Sequence, residues 1–430
     1  MAAAVPRSRH VGKPGHPPPT PQLAMRASRL LPLVLAPLAL STAALAQSSV
    51  HVVDAAGGPG SDFVSLQDAM SFAQDGDLIL LREGTYDGAT TQDKGLTIAA
   101  APGASPSIRG QGYGYSGLTF WGIPAHSSVQ LRGLRIQGSP GLHVWHAEGP
   151  AFVDDCEIVG ECMFGGTDSA ALRVTHSEVL VVASELRGQS SCANHPAGLV
   201  VRDGAAHVFD STLDGTGFGA NALELFGASF AYVGGSQLIA GDGADAYGVG
   251  LACSKGTDGG AAAYLLDTNS GSPSLLVRDT GLFPGEAGAA TPNCPGGLPG
   301  VPIEVHGAGS YAPLAGASHG LQVDSPVVDG AQLALRLEGE PGDLAAVAYS
   351  TELSPTYAVD FGVTAAPSGS ALLLAFVGVI DAGGELELNP SVELPIGLPA
   401  LRLCAQGVLV GPNRATLSAP REVLVLAAGL

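Results

Sequence analysis

A short phrase recurs between residues 142 and 251, and this repetition constrains the fold more than any single motif. Each copy places a small residue before an apolar strand that ends at or near glycine. The copies begin at Cys156, Ser184, Ser211 and Ser236, so the successive steps are 28, 27 and 25 residues. A period in this range that contains only strand-length apolar pieces is typical of a β-solenoid, because one coil cannot bury its apolar face alone.

A second strand in each repeat alternates between apolar and variable residues. Its first and third positions are apolar and should point inward, while the middle residue should point outward. The predicted inward stack consists of Leu142, Leu172, Leu199 and Leu223. Since neighbouring strands lie about 4.8 Å apart, the middle residues should form one outward column. That column consists of His143, Arg173, Val200 and Glu224.

The segment before the repeats has the features of a cap. Ser65 stands where it can cap a short helix, and the apolar residues from 66 to 73 fall on one helical stripe. A Gly-Asp turn, an apolar strand and a Gly-Thr-Tyr loop complete residues 63–86. A helix in this place would cover the open end of the first coil, where unpaired strand edges would otherwise invite aggregation.

This arrangement resembles the N-terminal signature of the pectin lyase-like superfamily of right-handed parallel β-helices, and with the repeats the resemblance covers roughly residues 48–310. It implies an all-β chain in which residues 47–315 form a right-handed parallel β-helix with an N-terminal capping helix. It implies no single activity, because the superfamily includes lyases, hydrolases, esterases, epimerases and non-catalytic surface proteins.

The C-terminal part of the sequence differs from the repeats in composition and in the spacing of its strand-like segments. Residues 256–320 are rich in Gly, Pro and Ala, which predicts that the last coils pass into a linker. From about residue 321 onward, several strand-like segments follow one another at short intervals. They predict a small β-sandwich over residues 316–430.

The N-terminal 46 residues are predicted to be a signal peptide with an extension, because a basic segment and an apolar run precede a small-residue cleavage site. The chain has 19 Lys and Arg, five of them in this segment, so 14 remain against 39 Asp and Glu. This excess of acid argues against nucleic acid as a partner. We expect a secreted or cell-surface protein, monomeric, without a transmembrane segment after cleavage, whose partner is a polysaccharide or a cell-surface glycan.

Six cysteines in an exported chain can form disulfides. The repeat register predicts that Cys162 pairs with Cys192, because both fall in the same loop of neighbouring coils. Cys253 and Cys294 flank a glycine-rich excursion and form the second predicted pair. Cys156 is expected to be a buried free thiol, and Cys404, which lies inside an apolar strand, is expected to be unpaired. The alternative is that every thiol is reduced.

The outward column offers candidate catalytic residues. A lyase acting on uronates needs a base and a cation that neutralises the carboxylate. His143, Arg173 and Glu224 are the catalytic candidates, and Arg202 could bind the substrate carboxylate. The alternative is that all of them are ordinary solvated positions on a polar sheet face.

Two further groups are candidate binding residues. Glu157 and Glu185 should lie one coil apart, where they could bind calcium, although an acidic chain also stacks carboxylates by chance. Aromatic residues concentrate in and after one glycine-rich stretch and could stack on sugar rings or plug the core. These aromatic residues are Tyr113, Tyr115, Trp121 and Trp145.

The sequence thus favours a carbohydrate-associated protein whose main role is binding. A polysaccharide lyase or glycoside hydrolase acting in the groove is the first alternative, and a non-catalytic structural or adhesive module is the second. Apart from a possible calcium ion, the residues predict no cofactor.

Overall fold

Three long parallel sheets wind through residues 50–314. The structure is a computed structural model that describes residues 49–111, 115–161, 169–189, 196–249, 252–292, 294–359, 361–368, 373–412 and 414–430. Residues Gln47–Leu430 form one compact unit. Among the described residues, no helix has the length and apolar character that crossing a membrane requires.

Each complete coil contributes one strand to each of three sheets, and sheet 1 has one additional strand at each end. Sheet 1 consists of β1 (Val50–Val53), β2 (Leu78–Leu81), β5 (Thr97–Ala100), β8 (Val129–Arg132), β11 (Ala151–Asp154), β14 (Glu178–Val182), β17 (Ala205–Phe209), β20 (Phe230–Gly234), β25 (Ser274–Arg278) and β28 (Ser310–Leu314). Sheet 2 consists of β3 (Thr85–Asp87), β6 (Ser107–Arg109), β9 (Arg135–Gly138), β12 (Glu157–Glu161), β15 (Glu185–Gln189), β18 (Thr212–Thr216), β21 (Gln237–Ile239) and β26 (Gly281–Phe283). Sheet 3 consists of β4 (Ala89–Gln92), β7 (Leu118–Trp121), β10 (Leu142–Trp145), β13 (Leu172–Thr175), β16 (Leu199–Arg202), β19 (Leu223–Phe226), β24 (Ala263–Leu266) and β27 (Ile303–His306).

The remaining elements lie before, beside and after these coils. The helix α1 spans Leu66–Phe72, and β22 (Tyr247–Val249) pairs with β23 (Ala252–Ser254) as an antiparallel hairpin. The mainly antiparallel C-terminal region consists of β29 (Leu321–Val323), β30 (Val327–Val328), β31 (Leu335–Glu338), β32 (Leu344–Ser350), β33 (Glu352–Ala358), β34 (Val363–Ser368), β35 (Leu373–Val379), β36 (Glu385–Leu388), β37 (Ala400–Val410) and β38 (Ala415–Leu426).

The core of the solenoid is the stack of inward residues that the alternating pattern predicts. Leu142 pairs with Leu172, Leu172 with Leu199, and Leu199 with Leu223, and all four are fully buried. Identical apolar side chains therefore lie on top of one another and form a continuous dry interior. The predicted right-handed parallel β-helix with a helical cap is confirmed, and mainly antiparallel sheets form the C-terminal region, where the sequence predicts a small β-sandwich.

The corners between sheets depend on single residues with positive φ. A residue in this left-handed region turns the chain sharply, and Gly, Asp, Asn and His tolerate it better than most. The corners between sheets 1 and 2 contain Gly133, Asp155, Ala183, Asp210, Gly235 and Asp279. The corners after strands of sheet 3 contain Asp93, Gly122, His146, His176, Asp203 and Gly227.

A ladder of small polar residues also stacks at the first of these corners. The backbone N–H of Cys156 donates to Ser184 Oγ at 3.1 Å, that of Ser184 to Ser211 Oγ at 3.0 Å, and that of Ser211 to Ser236 Oγ at 3.2 Å. The ladder pairs backbone donors that would otherwise be buried without a partner. Cys156 begins this ladder as a buried free thiol, as its repeat position predicts.

The capping helix α1 forms where the sequence predicts it. Ser65 Oγ accepts a hydrogen bond from the Asp68 N–H at 3.2 Å, which satisfies one unpaired donor of the first turn. Leu66, Ala69 and Met70 are buried in the same core cluster as the first coils. The helix therefore covers the N-terminal opening of the solenoid.

The segment interpreted as a linker is instead part of the coil, and the sheets continue to Leu314. Beside them, residues 241–246, 256–260, 284–289 and 295–300 hydrogen-bond to one another at every third residue, as in the pairs Gly285–Gly260 and Gly288–Thr257. This spacing matches the three-residue turn of a polyproline II helix, which has no internal hydrogen bonds. We call these four segments the glycine bundle.

Only glycine fits where the segments of the glycine bundle meet. A Cβ on Gly288 would lie 1.8 Å from Ala244 O, and one on Gly297 would lie 1.8 Å from Thr257 O. The composition that resembles a linker therefore reflects tight backbone packing. A disulfide between Cys253 and Cys294 joins the hairpin β22–β23 to this bundle, as the sequence predicts.

Candidate functional site

The C-terminal region covers the outer face of sheet 1, which leaves sheets 2 and 3 as candidate binding faces. Outward-pointing apolar residues of sheet 1 are buried in one cluster with residues of the C-terminal strands. From sheet 1 these are Phe152, Leu180, Val182, Phe209 and Tyr232, and from the C-terminal region they are Val363, Ala366, Cys404 and Ala419. Cys404 is a free thiol, as predicted, and it is buried.

Charged groups are also buried beneath the C-terminal region. Arg132 Nη1 contacts the carboxylate of Asp154 and donates to the carbonyl oxygen of Glu422 at 3.1 Å. Arg421 Nε lies 3.1 Å from the other oxygen of Asp154. Burial raises the pKa of the Glu422 carboxyl to about 7, although Arg132 and Arg402 oppose this shift. These contacts hold the two regions in one fixed arrangement.

The outer face of sheet 3 carries two columns of side chains that follow the axis of the solenoid. The first consists of Thr90, Thr119, His143, Arg173, Val200, Glu224, Tyr264 and Glu304. The second consists of Gln92, Trp121, Trp145, Thr175, Arg202, Phe226, Leu266 and His306. The parallel register therefore brings the predicted column of His143, Arg173, Val200 and Glu224 into line.

Aromatic rings stack along the middle of this face. The indole rings of Trp121 and Trp145 lie 5.6 Å apart between centroids and 19° from parallel. The His143 ring lies 5.8 Å from Trp145 and 4° from parallel. Both tryptophans are exposed, at 42% and 38%. Further along, the guanidinium of Arg202 lies 4.6 Å from the centroid of the Phe226 ring.

We call the set Trp121, His143, Trp145, Arg173, Arg202 and Phe226 the aromatic face. The predicted binding residues Trp121, Trp145 and Arg202 all belong to its second column. Tyr115 is 63% exposed, whereas Tyr113 lies outside the described residues.

Two histidines at the corner of sheet 3 border the aromatic face and were not among the candidates. His146 and His176 occupy left-handed positions on adjacent coils, and their rings lie 4.8 Å apart between centroids. His146 also lies 5.1 Å from the Trp145 ring. Each follows a four-residue strand of sheet 3, and this position after the strand is the sequence signal that could have identified them.

His143 is held in its neutral form at neutral pH. Burial lowers its pKa to about 4, and the positive charge of Arg173 on the next strand acts in the same direction. An imidazole with so low a pKa is a weak base, because general bases act best when their pKa lies near the working pH. The side chain is therefore better suited to hydrogen bonding than to proton abstraction.

The three catalytic candidates do not converge on one point. His143 and Arg173 are direct neighbours, but Val200 stands between Arg173 and Glu224 and is buried. At about 4.8 Å per coil, Glu224 begins roughly 10 Å from Arg173 along the axis. Its carboxylate accepts a hydrogen bond from Asn221 Nδ2 at 2.9 Å. A catalytic role for the three residues remains a prediction.

The two candidate calcium ligands lie on sheet 2 and face arginines. Glu157 and Glu185 are direct neighbours on adjacent strands, as predicted. Arg135 Nη2 lies 3.4 Å from Glu157, and Arg187 contacts Glu185. No group of three His, Cys, Asp or Glu residues suited to a metal ion occurs in the described part of the chain. Calcium binding by this pair remains a prediction.

The predicted disulfides have different outcomes. The bond between Cys253 and Cys294 is present. Cys162 and Cys192 lie outside the described residues, so their pairing stays a prediction.

Comparisons with known proteins find similarity only among solved structures. No family model matches this sequence, and no curated protein matches it. The crystal structure of pectate lyase Pel9A matches over 62% of this chain and 79% of its own, with 12% identity and a TM-score of 0.35. The enzymatically active domain of tailspike protein 4 from bacteriophage CBA120 matches over 87% of this chain and 55% of its own, with 10% identity and a TM-score of 0.27.

The parallel β-helix that the sequence resemblance implies is confirmed as the fold. This conclusion depends on the three parallel sheets and on the register of their inward stacks. It assigns no activity, because proteins of this fold differ in function.

Proposed function

We propose that this protein binds a polysaccharide or a cell-surface glycan on its aromatic face. The observation that carries the proposal is the pair of exposed, stacked indole rings of Trp121 and Trp145 on adjacent strands of sheet 3. Aromatic side chains with one apolar surface and one polar edge are well suited to surfaces that contact sugars. A rigid sheet fixes their positions before the ligand arrives, which lowers the entropy cost of binding.

Polar groups beside the two rings provide the hydrogen bonds that a sugar requires. Arg173 and Arg202 lie on the next two strands, and a guanidinium offers several donors in a fixed plane. Neutral His143 can donate from one ring nitrogen and accept at the other. The two arginines also place positive charge on this face of a strongly acidic protein, which favours a glycan with carboxylate groups there.

The chemistry of the aromatic face favours binding over catalysis. The base nearest to the arginines is His143, whose low pKa makes it a poor proton acceptor. Val200 interrupts the column before the carboxylate of Glu224 is reached. The proposal depends on this geometry, and the likeness to a pectate lyase is not an argument for it.

Secretion is the second part of the proposal. The disulfide between Cys253 and Cys294 supports it, because such bonds persist mainly in oxidising compartments. The apolar run that follows the basic segment within residues 1–46 supports it as well.

An array of plant, algal and bacterial glycans tests the proposal. We expect retention of the wild-type protein on at least one polysaccharide, and affinity lower by about fivefold in Trp121→Ala and in Trp145→Ala, because each loses about 1 kcal/mol of aromatic contact. Tyr247→Ala is the matched control, since Tyr247 is 69% exposed on the hairpin β22–β23.

Two activity assays distinguish binding from catalysis. Unsaturated products detected by ultraviolet absorbance would indicate a lyase, and new reducing ends would indicate a hydrolase. Either result, if abolished by Arg173→Ala and retained in Tyr247→Ala, would replace the binding proposal by the catalytic alternative. If the protein binds no glycan on the array, both the binding proposal and the catalytic alternative are contradicted.

A further inference from the structure

The two ends of the solenoid differ in one respect, because the N-terminal end is closed and the C-terminal end is open. At the N-terminal end, α1 buries Leu66 and Met70 against the first coils. At the other end, β26, β27 and β28 are the terminal strands of sheets 2, 3 and 1. Among the described strands, each of these three pairs on one side only.

The inward stacks end without cover at the same place. Val305 continues the stack of Leu265, and Tyr311 continues that of Leu275. Leu265 and Leu275 are fully buried, whereas Val305 is 41% and Tyr311 is 39% exposed. The dry interior of the solenoid therefore opens to water at its last coil.

Other apolar residues of the last coil are exposed as well. Phe283 is 50%, Leu298 is 64% and Val301 is 44% exposed. On β27, Glu304 Oε1 lies 2.6 Å from His306 Nε2. The exposed side chains of Val305 and Tyr311 thus give the last coil of this acidic protein an apolar end surface.

We infer that two copies of this chain associate through their C-terminal coil ends. Three strand edges arranged around an open core require a partner with the same arrangement, and a second copy of the same end provides it. A two-fold axis across the solenoid reverses the chain direction, so the edges of the two copies would pair as antiparallel strands. Val305 and Tyr311 would then be buried against the interior residues of the other copy.

The assembly stops at two copies. Head-to-tail stacking would produce an open filament. It would require an open coil at the N-terminal end of each copy, and α1 covers that end. The interface is thus isologous and closed. This inference differs from the monomer expected from the sequence, and it is independent of the glycan-binding proposal.

The test is the mass of the mature protein in solution, measured by light scattering and sedimentation across the micromolar range. We expect the mass of two chains, falling to one chain in Val305→Lys and in Tyr311→Lys, because each places a charge at the interface between the two copies. Val64→Lys is the matched control, since Val64 is 60% exposed next to α1 at the closed end. It should leave the dimer intact.

Hydrogen exchange of the wild-type protein provides a test without substitutions, in case a variant folds poorly. Amides of β26, β27 and β28 should become more protected as protein concentration rises, while those of β1 should not change. A wild-type monomer at all concentrations, a dimer that survives both lysine variants, or growth into filaments would each overturn the inference.

Discussion

The buried carboxyl of Glu422 makes the stability of the protein dependent on pH in an unusual direction. Its pKa rises from an ordinary 4.5 to about 7, mainly because burial penalises the charged form. Both of its side-chain oxygens are buried and have no hydrogen-bond partner within the described structure. The folded protein therefore holds this proton more tightly than the unfolded chain does.

The sign of the effect follows from this difference. Below about pH 4.5 the Glu422 carboxyl is protonated in both the folded and the unfolded state, so it does not lower the free energy of unfolding. As pH rises to about 7 the unfolded chain releases the proton first, so the free energy of unfolding falls. One pKa unit corresponds to about 1.4 kcal/mol, which gives a loss from Glu422 of about 2 to 3 kcal/mol between pH 5 and pH 8.

Glu422→Gln should remove this contribution, because glutamine has nearly the same shape and does not titrate. We expect urea denaturation at pH 5 and pH 8 to show a smaller pH-dependent loss in the variant than in the wild type, by about 2 to 3 kcal/mol. Glu352→Gln on β33, an exposed carboxylate of the same region, is the control. Equal pH dependence in wild type and Glu422→Gln would refute the reasoning.

Further predictions concern the core, the glycine bundle and the calcium site. Leu199→Ala should lower the free energy of unfolding by about 2–5 kcal/mol, since Leu199 is fully buried in the inward stack, and urea titration measures this. Gly288→Ala should lower the free energy of unfolding by about 1–3 kcal/mol, because its Cβ would overlap Ala244 O. Gly330→Ala is the comparison, because it replaces a turn glycine whose added Cβ would have no heavy atom within 4 Å. If Glu157 and Glu185 bind calcium, calorimetry should show binding heat that Glu157→Gln abolishes. Absence of binding heat in the wild type would contradict calcium binding by this pair.

The solenoid could be predicted from the sequence because its information is local and repeated. The alternation in strands such as Leu142–Trp145 specifies which side chains point inward, and the period specifies which of them stack. The stacked Leu142, Leu172 and Leu199 and the column through His143 and Arg173 both follow from these two quantities.

The cover over sheet 1 could not be predicted in the same way, because it depends on contacts between residues far apart in the chain. One signal was present, however. Residues Val179, Leu180, Val181 and Val182 are apolar at successive positions, which is typical of a strand buried on both faces. Most strands of sheet 3 alternate instead, with β16 and its buried Val200 as an exception, which agrees with their open outer face.

The glycine bundle was misinterpreted for a related reason. Its Gly, Pro and Ala content is the same as that of a flexible linker, and composition alone does not distinguish the two. The distinguishing signal is the three-residue spacing, as in Gly285 and Gly288 or Gly297 and Gly300. The aromatic pair was found only as a cluster in the sequence, since the stacking of Trp121 on Trp145 required the strand register.

The C-terminal region touches coils that are far apart along the solenoid. Leu424 and Leu426 pack on Leu78 and Leu80 of β2, while strands of the same region cover Tyr232 on β20. A solenoid whose coils touch only their neighbours can fray from one end in small steps. The C-terminal region contacts both early and late coils and so prevents this fraying. The whole protein should therefore unfold in one cooperative transition, and removal of the C-terminal region should make the unfolding gradual.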